Sequence, residues 1–106
     1  MSRKTSKRKA RNAGTAPLST IAMCLYVAGN APNSQLAVAN LAAICDQYLV
    51  GRYSLEIVDV LTTPLRALAD RVLVTPSLAR IAPKPAVRII GNLNDRNSVL
   101  NALGIS

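Results

Sequence analysis

Few side chains in these 106 residues are equipped for chemistry: two thiols, five carboxylates, three phenols and no imidazole. Without histidine, a Ser-His-Asp triad, a histidine acid/base and a Cys/His zinc site are all excluded. Cys24 and Cys45 stand too far apart for a metal knuckle and are too few for a disulfide framework. Each falls in an apolar stretch and reads as a small core residue, with a redox-sensor pair as the alternative. Asp59 lies in an apolar segment, where burial can raise a carboxylate's pKa. With no second carboxylate near it in the pattern, it reads as a structural hydrogen-bond acceptor rather than an acid or base. Gly29-Asn30-Ala31-Pro32-Asn33-Ser34 leads into a helix N-terminus, a place that cradles anions. It carries no lysine and no further glycine pattern, and reads as a packing loop. No catalytic residue, metal or cofactor is expected.

The formal charge of +8 is unevenly spread. Residues 1–20 hold six basic side chains (Arg3, Lys4, Lys7, Arg8, Lys9 and Arg11) and no acid. The remainder holds seven basic against five acidic side chains, 7 − 5 = +2. Residues 1–20 are therefore expected to form a disordered, solubilising tail before a single domain at 21–106. Capture of nucleic acid or anionic lipid by that tail is the alternative reading. The tail lacks the apolar run of a signal peptide, and nothing approaches the roughly 20 apolar residues of a membrane span, so a cytoplasmic protein is expected. Aromatic residues make up 3% of the chain, which leaves a core of Leu, Ile, Val and Ala and little for stacking bases.

The elements that position these groups follow from pattern. Ile21 to Val27 is a dense apolar run halted by turn chemistry, and reads as a strand. Asn33 or Ser34 would cap the next helix, whose face is marked by Ala37, Leu41, Ile44, Cys45 and Tyr48 before Gly51 stops it. Tyr53 to Leu61 is β-branched and nearly continuous in apolarity, as expected of a parallel strand covered on both faces. Thr63-Pro64 opens a short helix with a capping hydroxyl and a buried face of Leu65, Leu68, Ala69 and Val72. The segment Val74-Thr75-Pro76-Ser77-Leu78-Ala79, a proline-bounded segment Ile81 to Pro85, a strand Val87 to Gly91 and a helix from about Asp95 to Leu103 complete the order. The fold class is α/β, with order βαβαββα.

That order, with Thr75-Pro76 immediately before the third strand, resembles thioredoxin-like domains. The Cys-x-x-Cys of a thioredoxin is replaced here by Gly29 to Ser34, so disulfide exchange is not expected. A more specific match follows. Leu25-Tyr26-Val27-Ala28-Gly29-Asn30 with Pro32-Asn33-Ser34, then Tyr53, Leu55, Val58-Asp59-Val60-Leu61 and Pro64, then Leu73, Thr75-Pro76 and Leu78-Ala79, then Arg88-Ile89-Ile90-Gly91 and Leu93 closely resemble the KaiB family of circadian clock proteins. The resemblance implies a non-enzymatic module that binds the ATPase ring KaiC, and where present KaiA, and sets the phase of a phosphorylation cycle. It also implies self-association as dimer or tetramer, and an alternative βαββααβ ground state. Pro76, Pro83 and Pro85, together with Ala102 and Gly104, lie in the half that would rearrange.

Departures from the family pattern are informative. Clock-type members carry lysine where Glu56 stands, a basic residue at Leu36 and paired arginines at Val87-Arg88. Ala102 and Gly104 replace a Gly and an Asp, and the acidic C-terminal extension is absent. Ala102 favours helix by up to about 1 kcal/mol over glycine, with Gly104 acting the other way, so the thioredoxin-like state is expected. Tyr53, Ser54, Glu56, Arg80 and Arg88 are the expected partner-contacting residues, with both arginines exposed. A diverged KaiB-fold protein serving another signalling or stress pathway is the rival reading.

Overall fold

The computed structural model describes residues 20–105; residues 1–19, which include the basic tail, and residue 106 lie outside it. Seven elements follow one another: β1 (Ile21–Val27), α1 (Pro32–Tyr48), β2 (Tyr53–Asp59), α2 (Pro64–Ala69), β3 (Ser77–Ala82), β4 (Val87–Ile90) and α3 (Arg96–Leu103). This is the expected βαβαββα order. The strands form one sheet in the order β2-β1-β3-β4, in which β1 runs parallel to β2 and antiparallel to β3. No helix among the described residues is long and apolar enough to cross a membrane.

The continuous apolarity of β1 has a simple cause. Successive strand residues face opposite sides of a sheet, and β1 is covered on both. Ile21, Met23, Leu25 and Val27 join Ala37, Leu41 and Ile44 of α1 and Val99 and Leu103 of α3 in the larger core, while Cys24 and Tyr26 join Val58 and Ala79 in the smaller. β2 has the same apolar look but lies at the sheet edge. Of its seven residues only Val58 is buried, so the expectation of a strand covered on both faces is corrected.

Two helix starts also differ from expectation. Pro32 sits at the first helical position of α1, so the helix begins a turn before a Ser34 cap would allow. The Ser34 hydroxyl is instead buried and accepts from the Ala28 N–H at 3.0 Å, tying the loop to the helix. In α2, Thr63 supplies no cap; its hydroxyl donates to the Asp59 carbonyl at 2.7 Å. The buried face of α2 is Ala67, whereas Leu65 and Leu68 are 79% and 75% exposed. Six residues give too few turns to lay a leucine stripe on the sheet, and Ala67 is what lies against it.

At the C-terminus, Asp95 caps α3, its carboxylate accepting from the Ser98 N–H at 3.3 Å and the Ser98 hydroxyl at 2.8 Å. Gly104, at φ +79°, closes it: the Ile105 N–H reaches the Leu100 carbonyl and the Gly104 N–H that of Asn101, the paired bonds of a Schellman motif. The expectation that Gly104 opposes this helix is therefore reversed. It is the residue that lets the helix end, beside a half-buried Ala102. Arg80 is a second correction. Its side chain is not exposed but nine-tenths buried, with Nη2 donating to the Pro85 carbonyl at 2.6 Å. A Cβ on Gly104 would stand 3.2 Å from Nη1, which puts the cation at the C-terminal end of α3, where the helix dipole favours it. Pro76 is buried at the entry to β3, and Pro83 and Pro85 lie exposed between β3 and β4.

Gly104→Ala should lower the unfolding free energy by about 1–2 kcal/mol, because a left-handed φ is costly for any residue with a Cβ. Urea denaturation measures it, and an unchanged midpoint would contradict this role.

Candidate functional site

The side chains of widest chemical reach gather on the α2 side of the sheet. Strand register places them there: Cys24 pairs with Glu56, Tyr26 with Val58, and Ala79 with Arg88. Because α2 is only six residues long, it leaves beside it a cleft of about 410 Å³ lined by Tyr26, Arg66, Asp70, Ala79, Ile81 and Arg88, among others.

Arg66 is the hub. Its Nη1 and Nη2 donate to the two carboxylate oxygens of Glu56 at 2.9 and 2.7 Å, and its Nε donates to Asp70 Oδ2 at 2.7 Å. A planar guanidinium suits such a two-point grip on a carboxylate. Glu56 thereby ties the edge strand to α2. The same Asp70 oxygen accepts from the Tyr26 hydroxyl at 2.8 Å. Arg88 closes the chain from β4: it donates to the carbonyls of Asp70 (2.9 Å) and Arg71 (3.2 Å), the free end of α2, and its guanidinium carbon lies 5.5 Å from the Tyr26 ring centre.

Hydrogen bonding from Arg66 holds the Glu56 carboxyl below its usual range. Asp70 is held low by the Tyr26 hydroxyl first and Arg66 second. Tyr26 is pushed up, mainly by burial and then by its contacts with Cys24 and Asp70. Burial also raises Cys24, and raises Cys45 to about 11 with a smaller contribution from Asp46. Each of these shifts favours the form seen in the network, carboxylates ionised and phenol and thiols protonated. Both thiols are buried and unpaired, which fits core residues. Asp59 is a hydrogen-bond acceptor: Oδ1 receives the N–H groups of Gly29 at 3.0 Å and Leu61 at 2.9 Å and shapes the loop after β1.

Among the expected contact residues, Tyr53, Ser54 and Glu56 lie exposed on the β2 edge, and Arg88 is exposed on β4. Glu56 and Arg88 are joined through Arg66 and Asp70, whereas Arg80 points to the other face. Sequence reasoning missed Tyr26, Arg66 and Asp70. Arg66 and Asp70 do show a helical i,i+4 spacing, but nothing local links them to a strand ten residues earlier.

The network predicts a pH response. The contribution of Asp70, whose pKa is lowered, is complete above the unfolded carboxylate value of about 3.9 and fades as pH falls through its lower folded value. That of Tyr26, whose pKa is raised, is complete below about 10 and fades above it. Asp70→Asn should flatten the acid limb of stability and bring the phenolate titration of Tyr26 part of the way back, burial retaining the rest. An unaltered acid limb would contradict this. At neutral pH both thiols should alkylate far more slowly in native than in urea-unfolded protein, and two fast native thiols would restore the redox-pair reading.

A family model described as the KaiB domain matches residues 24–105. The chain is 47% identical over 89 residues to the circadian clock oscillator protein KaiB of Prochlorococcus marinus (strain MIT 9313), covering 84% of this chain and 75% of that one. To the protein of the same name from Synechococcus sp. (strain RCC307) it is 46% identical over 89 residues, covering 84% and 81%. In fold it is similar to the N-terminal domain of Synechococcus elongatus SasA (TM-score 0.66, 24% identity, covering 91% of this chain and 94% of that one). It is likewise similar to chloroplastic thioredoxin z (TM-score 0.68, 21% identity, covering 81% and 77%). These two likenesses speak for a thioredoxin-like fold alone. With the domain matched over nearly all of the described residues and close to half of the positions identical to clock relatives, this chain belongs to the KaiB family of circadian clock proteins.

Proposed function

We propose that this domain is a non-enzymatic binding module that docks on a KaiC-type ATPase ring and modulates its phosphorylation and timing cycle. The observation that carries the reading is the half-uncovered face around β2 and α2. Leu61, Leu65 and Leu68 are exposed there around the Glu56-Arg66-Asp70 ion pairs, and among the described residues β2 pairs only with β1. A patch of apolar side chains ringed by fixed charges is what a protein partner recognises. Tyr53, Ser54, Glu56 and Arg88 border it, while Arg80 is buried and donates to the Pro85 carbonyl instead. A KaiA-type protein where one exists, and further copies of this chain as dimer or tetramer, are additional partners on this reading.

Leu65→Glu and Leu68→Glu lie on exposed positions and should leave folding intact while weakening capture of the host's KaiC-type ring at least tenfold. Glu56→Lys breaks the grip of Arg66 and reverses one interface charge, and should also weaken capture, since juxtaposed like charges cost several kcal/mol. A pull-down with purified ring reads all three. If the natural chain does not bind the ring and Glu56→Lys creates binding, the clock reading fails, and a different partner in a signalling or stress pathway takes its place.

A further inference from the structure

The sheet has a second edge at β4, where Val87–Ile90 pair with β3 alone among the described residues. Hydrogen-bond parity decides which backbone groups that edge presents. The Gly91 N–H donates to the Pro76 carbonyl at 2.9 Å, and the register that sets Ile90 opposite Ser77 sets Gly91 opposite Pro76. Bonded and non-bonded pairs alternate along an antiparallel ladder, so Val87 and Ile89 turn their N–H and C=O groups to β3, and Arg88 and Ile90 turn theirs outward. Natural edges are often blunted by proline, lysine or a bulge, and Val87–Ile90 carries none of these.

This rim also carries charge and apolar surface. Arg88 and Ile90 present their side chains on the α2 side, beside a notch of about 110 Å³ lined by Arg71, Leu73, Val74, Ser77, Arg88 and Ile90. Leu73, Val74 and Ile90 are exposed. The Ser77 hydroxyl is buried with no hydrogen-bond partner among the described residues, a state that favours a polar group arriving from outside. Arg71 stands at φ +58° in the position after α2 that favours glycine, and it forms no ion pair among the described residues. The carboxylates are engaged elsewhere or lie elsewhere. Arg66 holds Glu56 and Asp70, the loop N–H groups of Gly29 and Leu61 hold Asp59, Ser98 holds Asp95, and Asp46 is on α1 across the sheet.

We propose that the outer edge of β4 takes an extended segment of another protein as a fifth, antiparallel strand, with an apolar residue opposite Ile90 and an acidic residue two positions later opposite Arg88. Main-chain bonds to Arg88 and Ile90 supply the pairing, and the side chains of alternate residues supply the selectivity. Charge chooses the occupant: Arg71 and Arg88 await an acid, and a second copy of this chain would bring only Arg88 or Ile90 to meet them. The β2 edge differs in carrying its own acid, Glu56.

The test titrates the isotope-labelled full chain with acetyl-Thr-Val-Thr-Glu-Thr-amide and follows its backbone amides by two-dimensional NMR. The Arg88 and Ile90 amides should shift most, followed by those of Leu73 and Val74. Lysine in place of the peptide's glutamate should weaken binding about fivefold, since a cross-strand pair of opposite charges becomes one of like charges. N-methylation of the peptide's valine and glutamate removes both donors that face β4 and should weaken binding about tenfold. Ile90→Pro removes an outward donor while sparing the ladder to β3, because an edge strand tolerates proline where its N–H faces solvent, and should also weaken binding about tenfold. If that variant does not fold, the N-methylated peptide on the natural chain decides. Equal binding of the glutamate and lysine peptides, indifference to N-methylation, or shifts confined to residues 53–59 would each overturn the proposal.

Discussion

β1 must face two hydrophobic layers at once while pairing on both of its edges. One residue of shift in that strand would exchange Met23 and Leu25 with Cys24 and Tyr26, placing a phenol and a thiol under α1 and α3 and leucine under α2. The Tyr26 hydroxyl would be carried away from Asp70, and the α2 side would lose the donor that anchors it. The parity of β1, fixed by parallel pairing to β2 and antiparallel pairing to β3, thus decides which face becomes a sealed core and which becomes a polar, half-open one.

From that asymmetry follows the half-open surface on the α2 side. Beneath α1 and α3 the interior is largely apolar, and the one buried cation among the described residues, Arg80, is turned to the loop carbonyl of Pro85. Beneath α2 the cover is six residues long, and a network from Glu56 through Arg66, Asp70 and Tyr26 to Arg88 takes the place of a second helical layer. Exposed ion pairs are screened by water and add little stability. Their effect is positional: they fix the β2 edge, the leucines of α2 and β4 as one surface. The thioredoxin-like frame is present without the cysteine pair of a thioredoxin: Gly29 to Ser34 follow β1 in its place.

Much of this architecture was legible in the chain. β1 and α1 were readable because each is long, apolar and periodic, and Asp95 with Gly104 marks both ends of α3. Errors arose wherever meaning depends on neighbours distant in sequence. Tyr53 to Asp59 has the composition of a central strand and occupies an edge. Leu65 and Leu68 have the spacing of a buried helix face, yet Ala67 is what meets the sheet. Arg80 and Arg88 look equivalent as lone cations in apolar strands. Antiparallel pairing puts Arg80 opposite Val87 and Arg88 opposite Ala79, so the two side chains point to opposite faces, and it is that of Arg88 that joins Tyr26 and the end of α2. Ser34 looked like a helix cap until Pro32 is seen to start the helix earlier.

The central claim is that partner recognition belongs to the face made by β2, α2 and β4. Amide hydrogen exchange of the full chain, alone and saturated with the host's KaiC-type ring, measures this directly. The account predicts new protection in residues 53–73 and around Arg88, with the solvent side of α1 unchanged. Protection confined to α1, with β2 and α2 exchanging as in the free protein, would contradict it.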